Sequence, residues 1–181
     1  SSAKVVTGNA EAISAENWQG KSYSAANKVN IADYFEENTQ YHYQYTDNYT
    51  GDDSIWSAEY DYTTKATDKF SVILTGDPQV GASGSSSDYS ANDASVALKT
   101  CPDASFLLSA GDQINQSGAT KDNDKKTRES EYAGYLYPSV FRSLPIAATI
   151  GNHDMAGSDY SAHFNNPNSE DKLGSTAAGS D

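Results

Sequence analysis

One cysteine, one methionine and five prolines in 181 residues leave little for covalent or rigid scaffolding. The lone Cys101 excludes an internal disulfide framework, and its place before Pro102, where a helix is expected to end, reads as a small buried hydrophobe and not a nucleophile. Positive charge is scarce as well, with 12 Lys and Arg against 25 Asp and Glu and a formal charge of −13. Such a surface repels a polyanion, which excludes nucleic acid as a partner. Long apolar runs are missing. None nears the ~18 residues needed to cross a bilayer, so membrane insertion is not expected. Leu, Ile, Val and Phe number 26, about 14% of the chain and below the roughly 20% that warns of disorder. Thirteen tyrosines offset that lack with amphipathic bulk, and the apolar residues gather in short runs, so folded structure with long polar loops is expected.

Two kinds of sequence meet near Lys65 to Lys69. Upstream, Lys4 to Thr7, Lys28 to Ile31, Gln40 to Thr46 and Ile55 to Tyr62 read as strands separated by Gly, Asn, Asp and Ser clusters. The third is clearest, because Tyr41, Tyr43 and Tyr45 alternate with His42, Gln44 and Thr46, the period of a strand with one packed face. His42 then falls on the opposite face, as a solvent-facing or structural residue. Asn38 and Thr39 supply the turn before it.

Downstream, three apolar runs each end in Gly followed by Asp or Asn: Phe70 to Asp77, Phe106 to Asp112, and Ile146 to Asn152. Continuous apolar runs suggest parallel strands covered on both faces. The spacings of 35 and 40 residues between Asp77, Asp112 and Asn152 leave room for a crossover helix each time. The first helix is expected from a capping box at Ser90 and Asp93, with Ala94, Leu98 and Cys101 on its inner face and Pro102 ending it. For the second, Glu129 and Glu131 occupy the first turn, Tyr132, Leu136 and Val140 form the inward stripe, and Pro138 kinks it. Gly81 to Ser87 and the charged run Lys121 to Lys126 read as solvated loops. The downstream part is a βαβαβ unit.

In a parallel sheet the strand C-termini open onto the crevice where ligands bind, so the three turns bring Asp77, Asp112 and Asn152 into one volume. Clustered carboxylates repel unless a cation neutralises them, which points to a metal. Oxygen donors with a nearby His suit Zn, Fe, Mn or Mg, and a two-metal centre needs a bridging carboxylate, for which Asp112 is placed.

These residues carry a resemblance. Gly76-Asp77-Pro78-Gln79, Gly111-Asp112-Gln113-Ile114-Asn115 and Gly151-Asn152-His153-Asp154 are similar to the first three signature blocks of calcineurin-like metallophosphoesterases, over about residues 66 to 167. Thr39-Gln40-Tyr41-His42-Tyr43 resembles the sixth strand of a fibronectin type III sandwich, in which one tyrosine anchors the loop between sheets. A β-type module just upstream makes the match closest to the purple acid phosphatase-like branch. The implied architecture is β plus α/β. Residues 1–66 would be the C-terminal strands of a fibronectin III-like sandwich, and residues 67–181 the N-terminal βαβαβ half of a metallophosphoesterase domain.

The resemblance implies that Asp77 ligates a first metal, Asp112 bridges two, and Asn152 binds the second, with Zn, Mn or Fe as the ions. His153 would stabilise the developing charge or protonate the leaving oxygen, with Asp154 orienting its ring. The implied reaction is in-line hydrolysis of a phosphate ester, mono or di. Gln79 stands where the family has His and offers only an amide oxygen. Asn115 stands where the purple enzymes have their colour-giving Tyr, and either ligates or closes the turn. The later His blocks lie outside these residues, so the chain is expected to be a segment of a longer polypeptide whose remainder completes the site, with little activity by itself. His163 reads as a mouth or packing residue. The second reading is a degenerate, non-catalytic binding or surface module. A Tyr-, Asn-, Ser- and Asp-rich, Cys-poor composition fits a bacterial secreted or surface protein.

Overall fold

A computed structural model of the chain describes residues 3–16, 22–121, 123–156 and 159–166. The chain is mixed α/β, with two small antiparallel ladders and one parallel three-stranded sheet. The antiparallel pairs are β1 (Asn9–Glu16) with β2 (Ser22–Lys28), and β3 (Gln40–Tyr43) with β4 (Tyr60–Thr63). The parallel sheet has the order β5 (Ser71–Thr75), β6 (Ala104–Ser109), β7 (Ile146–Ala148).

Upstream, the expected strands shift. Lys4 to Thr7 is not a strand, and of Lys28 to Ile31 only Lys28 belongs to one. The alanine-rich β1 and β2 have weak intrinsic β-preference, and pairing together with packing decides for them. β1 lies against the second long helix, with Ile13 buried. Gln40 to Thr46 shortens to β3, and Ile55 to Tyr62 becomes β4 at its C-terminal end.

The tyrosine alternation is realised as Tyr41 opposite Tyr62 and Tyr43 opposite Tyr60, all half-buried, with Phe35 against Tyr41 at 4.7 Å. The Glu36 N–H donates to the Tyr41 hydroxyl at 2.7 Å, tying the ladder to the segment just before it. His42 is exposed, with Nδ1 2.6 Å from Asp61. The ladder is fastened to the downstream half, since the Tyr43 hydroxyl donates to the Arg142 carbonyl at 2.7 Å and the Arg142 guanidinium lies over Tyr60.

The crossover helices begin earlier than expected. α1 (Ser86–Thr100) starts inside the serine-rich stretch, where the Ser86 hydroxyl accepts from Gly81 N and donates to Ser83 O, so Ser90 and Asp93 are interior. α2 (Asp124–Leu136) starts inside the charged run, of which Asp122 lies outside the described residues. Asp124 accepts from the backbone N–H groups of Thr120 and Lys121. Glu129 and Glu131 are therefore mid-helix, Glu129 fully buried. Pro138 ends α2, and Val140 falls in a 3-10 turn over Ser139–Arg142.

Right-handed crossovers between strands added in one direction put both helices on the same face. One core cluster under that face joins Ile73, Ala94, Ala104, Leu107 and Leu144, with Cys101 half-buried at its margin. A second joins Val80, Ile114, Tyr132, Tyr135, Ala148, Tyr160 and Phe164, the last two in or beside α3 (Asp159–His163). The expectation of cover on both faces fails. On the other face Phe70 and Leu74 are 58% and 69% exposed and Val72 is also exposed, while Tyr62 from the ladder and Thr64 just after it line one cavity with Phe70, Phe106 and Ala147. Among the described residues, no helix is long and apolar enough to cross a membrane.

Leu107 fills the centre of the sheet between Ile73 and Ile146. Leu107→Ala is expected to cost about 2–5 kcal/mol, read as a lower urea midpoint with unchanged m-value.

Candidate functional site

The three strand ends adjoin through backbone hydrogen bonds. Asp77 N donates to Gly111 O at 3.3 Å, and Gln79 N to Asp112 O at 2.9 Å. A parallel bridge between Val80 and Ile114 continues the pairing past both turns. From the third loop, His153 N donates to Asp112 Oδ1 at 2.9 Å. Asp112 thus lies between the other two tips, with one carboxylate oxygen fixed.

The glycines do not all serve the same end. Gly111 has φ +95°, and a Cβ there would lie 2.8 Å from the Gly151 backbone. A Cβ on Gly151 would lie 2.2 Å from Asp112 N and 2.1 Å from its Oδ1. Gly76 is free of both constraints, with only the Ala110 Cβ at 3.6 Å. The sharp turn after β5 is instead taken by Asp77 and Gln79, at φ 55° and 36°. Asp112 is also left-handed, at φ 53°. Each non-glycine in this region costs on the order of 1–3 kcal/mol and persists only where its surroundings over-determine it.

Asp77 and Asn152 are exposed, and Gln79, Asp112 and Asn115 half-buried. Among the described residues, the Asp77 carboxylate and the side-chain amides of Gln79, Asn115 and Asn152 have no hydrogen-bond partner. Oxygen donors left free around a fixed carboxylate fit a hard divalent or trivalent ion. The set is nevertheless poor in charge. No group of three or more His, Cys, Asp or Glu is placed to hold a metal ion among the described residues.

His153 and Asp154 are held differently from what the resemblance implies. Asp154 does not orient the imidazole. It is buried, with Oδ1 accepting from the Tyr132 hydroxyl at 3.0 Å and Oδ2 from Gly151 N at 2.9 Å and Gln113 N at 3.3 Å. It ties the third loop to the second and to α2. Burial pushes its pKa up, partly offset by those hydrogen bonds. The ring of His153 is held by the Asn115 carbonyl, 2.5 Å from Nδ1.

Sequence periodicity gives no sign of several residues beneath these loops. Gln113 is fully buried and donates to Ser109 Oγ at 2.9 Å and Thr149 O at 3.0 Å, joining β6 to the end of β7. Glu131 Oε2 accepts from Asn115 N at 3.0 Å and Gln116 N at 2.7 Å. Burial pushes its pKa up, with those bonds and the nearby His153 opposing. Earlier in α2, Arg128 pairs with Asp159, and Glu129 Oε2 lies 2.7 Å from His163 Nε2, locking α3 down. His163 is thus a packing residue, with Tyr132 against its ring. Spacing alone could not show this, because each pair joins residues more than thirty positions apart.

Burial opposes ionisation of Glu129, but the hydrogen bond and charge of His163, with Asp159 and Lys125, hold its pKa below the ordinary value. A lowered carboxyl adds stability above its unfolded pKa and loses it as pH falls through the folded one. Asp159, pushed up by burial against the pull of Arg128, works in the opposite sense. Glu129→Gln should therefore flatten the acid limb of stability, measured by urea unfolding between about pH 6 and about pH 3. Gly151→Ala is expected to cost about 1–3 kcal/mol and to displace Asp112, read from the urea midpoint and the His153 amide shift.

No family model, curated protein or solved structure matches this chain.

Proposed function

We propose that the chain carries the first half of a metal-dependent phosphoesterase centre that hydrolyses phosphomonoesters or phosphodiesters. The observation that carries this reading is the meeting of three parallel-strand C-termini around Asp112, with left-handed backbone at Asp77, Gln79 and Asp112. Strain of that kind concentrates at sites where a side-chain direction matters more than local comfort. Asp77 is the ligand to one ion, Asp112 the bridge and Asn152 the ligand to the second, with Gln79 and Asn115 as further oxygen donors. Zn, Mn or Fe ions would neutralise the phosphate oxygens and make a water acidic enough to ionise near neutral pH. His153 steadies the phosphate or gives a proton to the leaving oxygen, and Asp154 holds the loop that presents it.

In this reading the parallel sheet is the N-terminal half of a calcineurin-like, purple acid phosphatase-like domain, and the tyrosine-rich ladders belong to a fibronectin III-like module. Two carboxylates and neutral amides are too few donors for two ions, and one sheet face is apolar and uncovered. A further layer of the same polypeptide fits both needs. We place the protein outside the cell or at its surface, where its phosphate ester is a small molecule.

A second reading rests on a different observation. Among the described residues no third acidic or imidazole donor joins the group, which, with Gln79 and Asn115 in the loops, fits a phosphoesterase fold that has lost its chemistry and serves binding. Metal counting at equilibrium separates the two, since two tightly held ions per complete protein exclude the degenerate module.

The complete protein should hydrolyse p-nitrophenyl phosphate with Mn, Zn or Fe and lose that activity to a chelator. Asp112→Asn should lower kcat/KM by at least about 100-fold through loss of the bridge. An active Asp112→Asn enzyme refutes the two-metal role.

A further inference from the structure

The peptide unit joining Asn115 and Gln116 is engaged at both ends. Its N–H donates to Glu131 Oε2 at 2.7 Å, and its carbonyl lies 2.5 Å from His153 Nδ1. A carbonyl can only accept, so Nδ1 must carry a proton in this contact. Nε2 is then the ring's one basic nitrogen. The same Oε2 takes a second N–H, that of Asn115. Glu131 also lies against the loop after β5, where a Cβ on Gly81 would meet its Oε1 at 2.0 Å. One carboxylate on α2 thus touches the loops after β5 and β6 and, through one peptide group, the loop after β7.

We infer that Glu131 is a positioning residue for His153, fixing the imidazole as its Nδ1–H tautomer through the Asn115–Gln116 peptide. A carboxylate at the N–H end of a peptide polarises the carbonyl at the other end, because hydrogen bonds in series strengthen one another. A negative acceptor also grips two N–H groups more firmly than a neutral one. The arrangement performs the task of a carboxylate that bonds Nδ1 directly, which is to hold the ring and select its tautomer. The assignment deepens the phosphoesterase reading, which alone gives Nε2 its use, but the tautomer itself is independent of that reading.

The test is nitrogen-15 spectroscopy of the histidine-labelled, chelator-treated complete protein, in which the His153 ring is compared with those of His42 and His163. Loss of one set of signals in His153→Gln assigns the ring. Expected for the unaltered protein, at a pH where the ring is neutral, is a single His153 tautomer with Nδ1 protonated, and a neutral ring with its proton on Nε2 overturns the proposal. In Glu131→Ala the preference should fall by about tenfold toward the mixture of a free imidazole, with His42 and His163 unmoved. Glu131→Gln, which keeps an acceptor oxygen, should retain most of it. An unchanged His153 in folded Glu131→Ala reduces Glu131 to a structural residue and overturns the inference. If Glu131→Ala fails to fold, Glu131→Asp, which withdraws the carboxylate by one methylene, is read the same way. Absence of phosphatase activity leaves these spectra as they are, so the two proposals fail separately.

Discussion

The loops after β6 and β7 approach so closely that neither Gly111 nor Gly151 has room for a Cβ. Everything at the strand ends depends on that backbone contact. It brings His153 N within reach of Asp112 Oδ1 and sets Gly151 N against Asp154 Oδ2. It also holds Asp112 left-handed, a conformation that costs on the order of 1–3 kcal/mol at a non-glycine residue. The cost is sustained because Asp112 is bound twice over, by Gln79 at its carbonyl and by His153 at its carboxylate.

Beneath this contact lies a layer of buried and half-buried polar groups, to which α2 contributes several. Tyr132 holds Asp154, Glu131 holds the loop after β6, and Arg128 and Glu129 hold α3. Buried pairs of this kind add little net stability over apolar residues of equal volume, yet removing one partner strands the other at a cost of about 3–5 kcal/mol. α2 can therefore dock in only one register. Tyrosine has a similar part upstream, where its ring packs and its hydroxyl bonds backbone, as Tyr43 does on Arg142. A chain poor in leucine and valine becomes specific in this way.

The parallel sheet was legible because its cause is local. Apolar runs ending in Gly-Asp or Gly-Asn state both the strand and the turn; β5 and β7 lie within their runs, and β6 overlaps its run and begins two residues earlier, at Ala104. The period-2 tyrosines likewise gave β3 its packed face. β1 and β2 were not legible, because Ala-rich strands take their conformation from a partner and from α2. Reading Glu129 and Glu131 as first-turn acids failed for a related reason. A carboxylate buried against a histidine or two backbone N–H groups looks in sequence like one in solvent, and only the fold supplies its partners. The role of Asp154 diverges for the same cause, since the resemblance implied an acid on the His153 ring while the fold turns it to Tyr132.

The uncovered sheet face bears on the chemistry as much as on the fold. Val72 and Leu74 lie on the strand that leads directly into Asp77, with Phe70 just before it, so whatever covers them also borders the strand ends. A covering layer adds donors and excludes water, and exclusion of water strengthens every charge interaction at Asp112. Without such a layer Asp77 and Asn152 stay exposed, and a cation there competes with bulk hydration. The same cover that would hide about three large apolar side chains from water would thus convert a set of solvated oxygens into a metal centre. In the proposed reading, stability and activity would then be two consequences of one docking event.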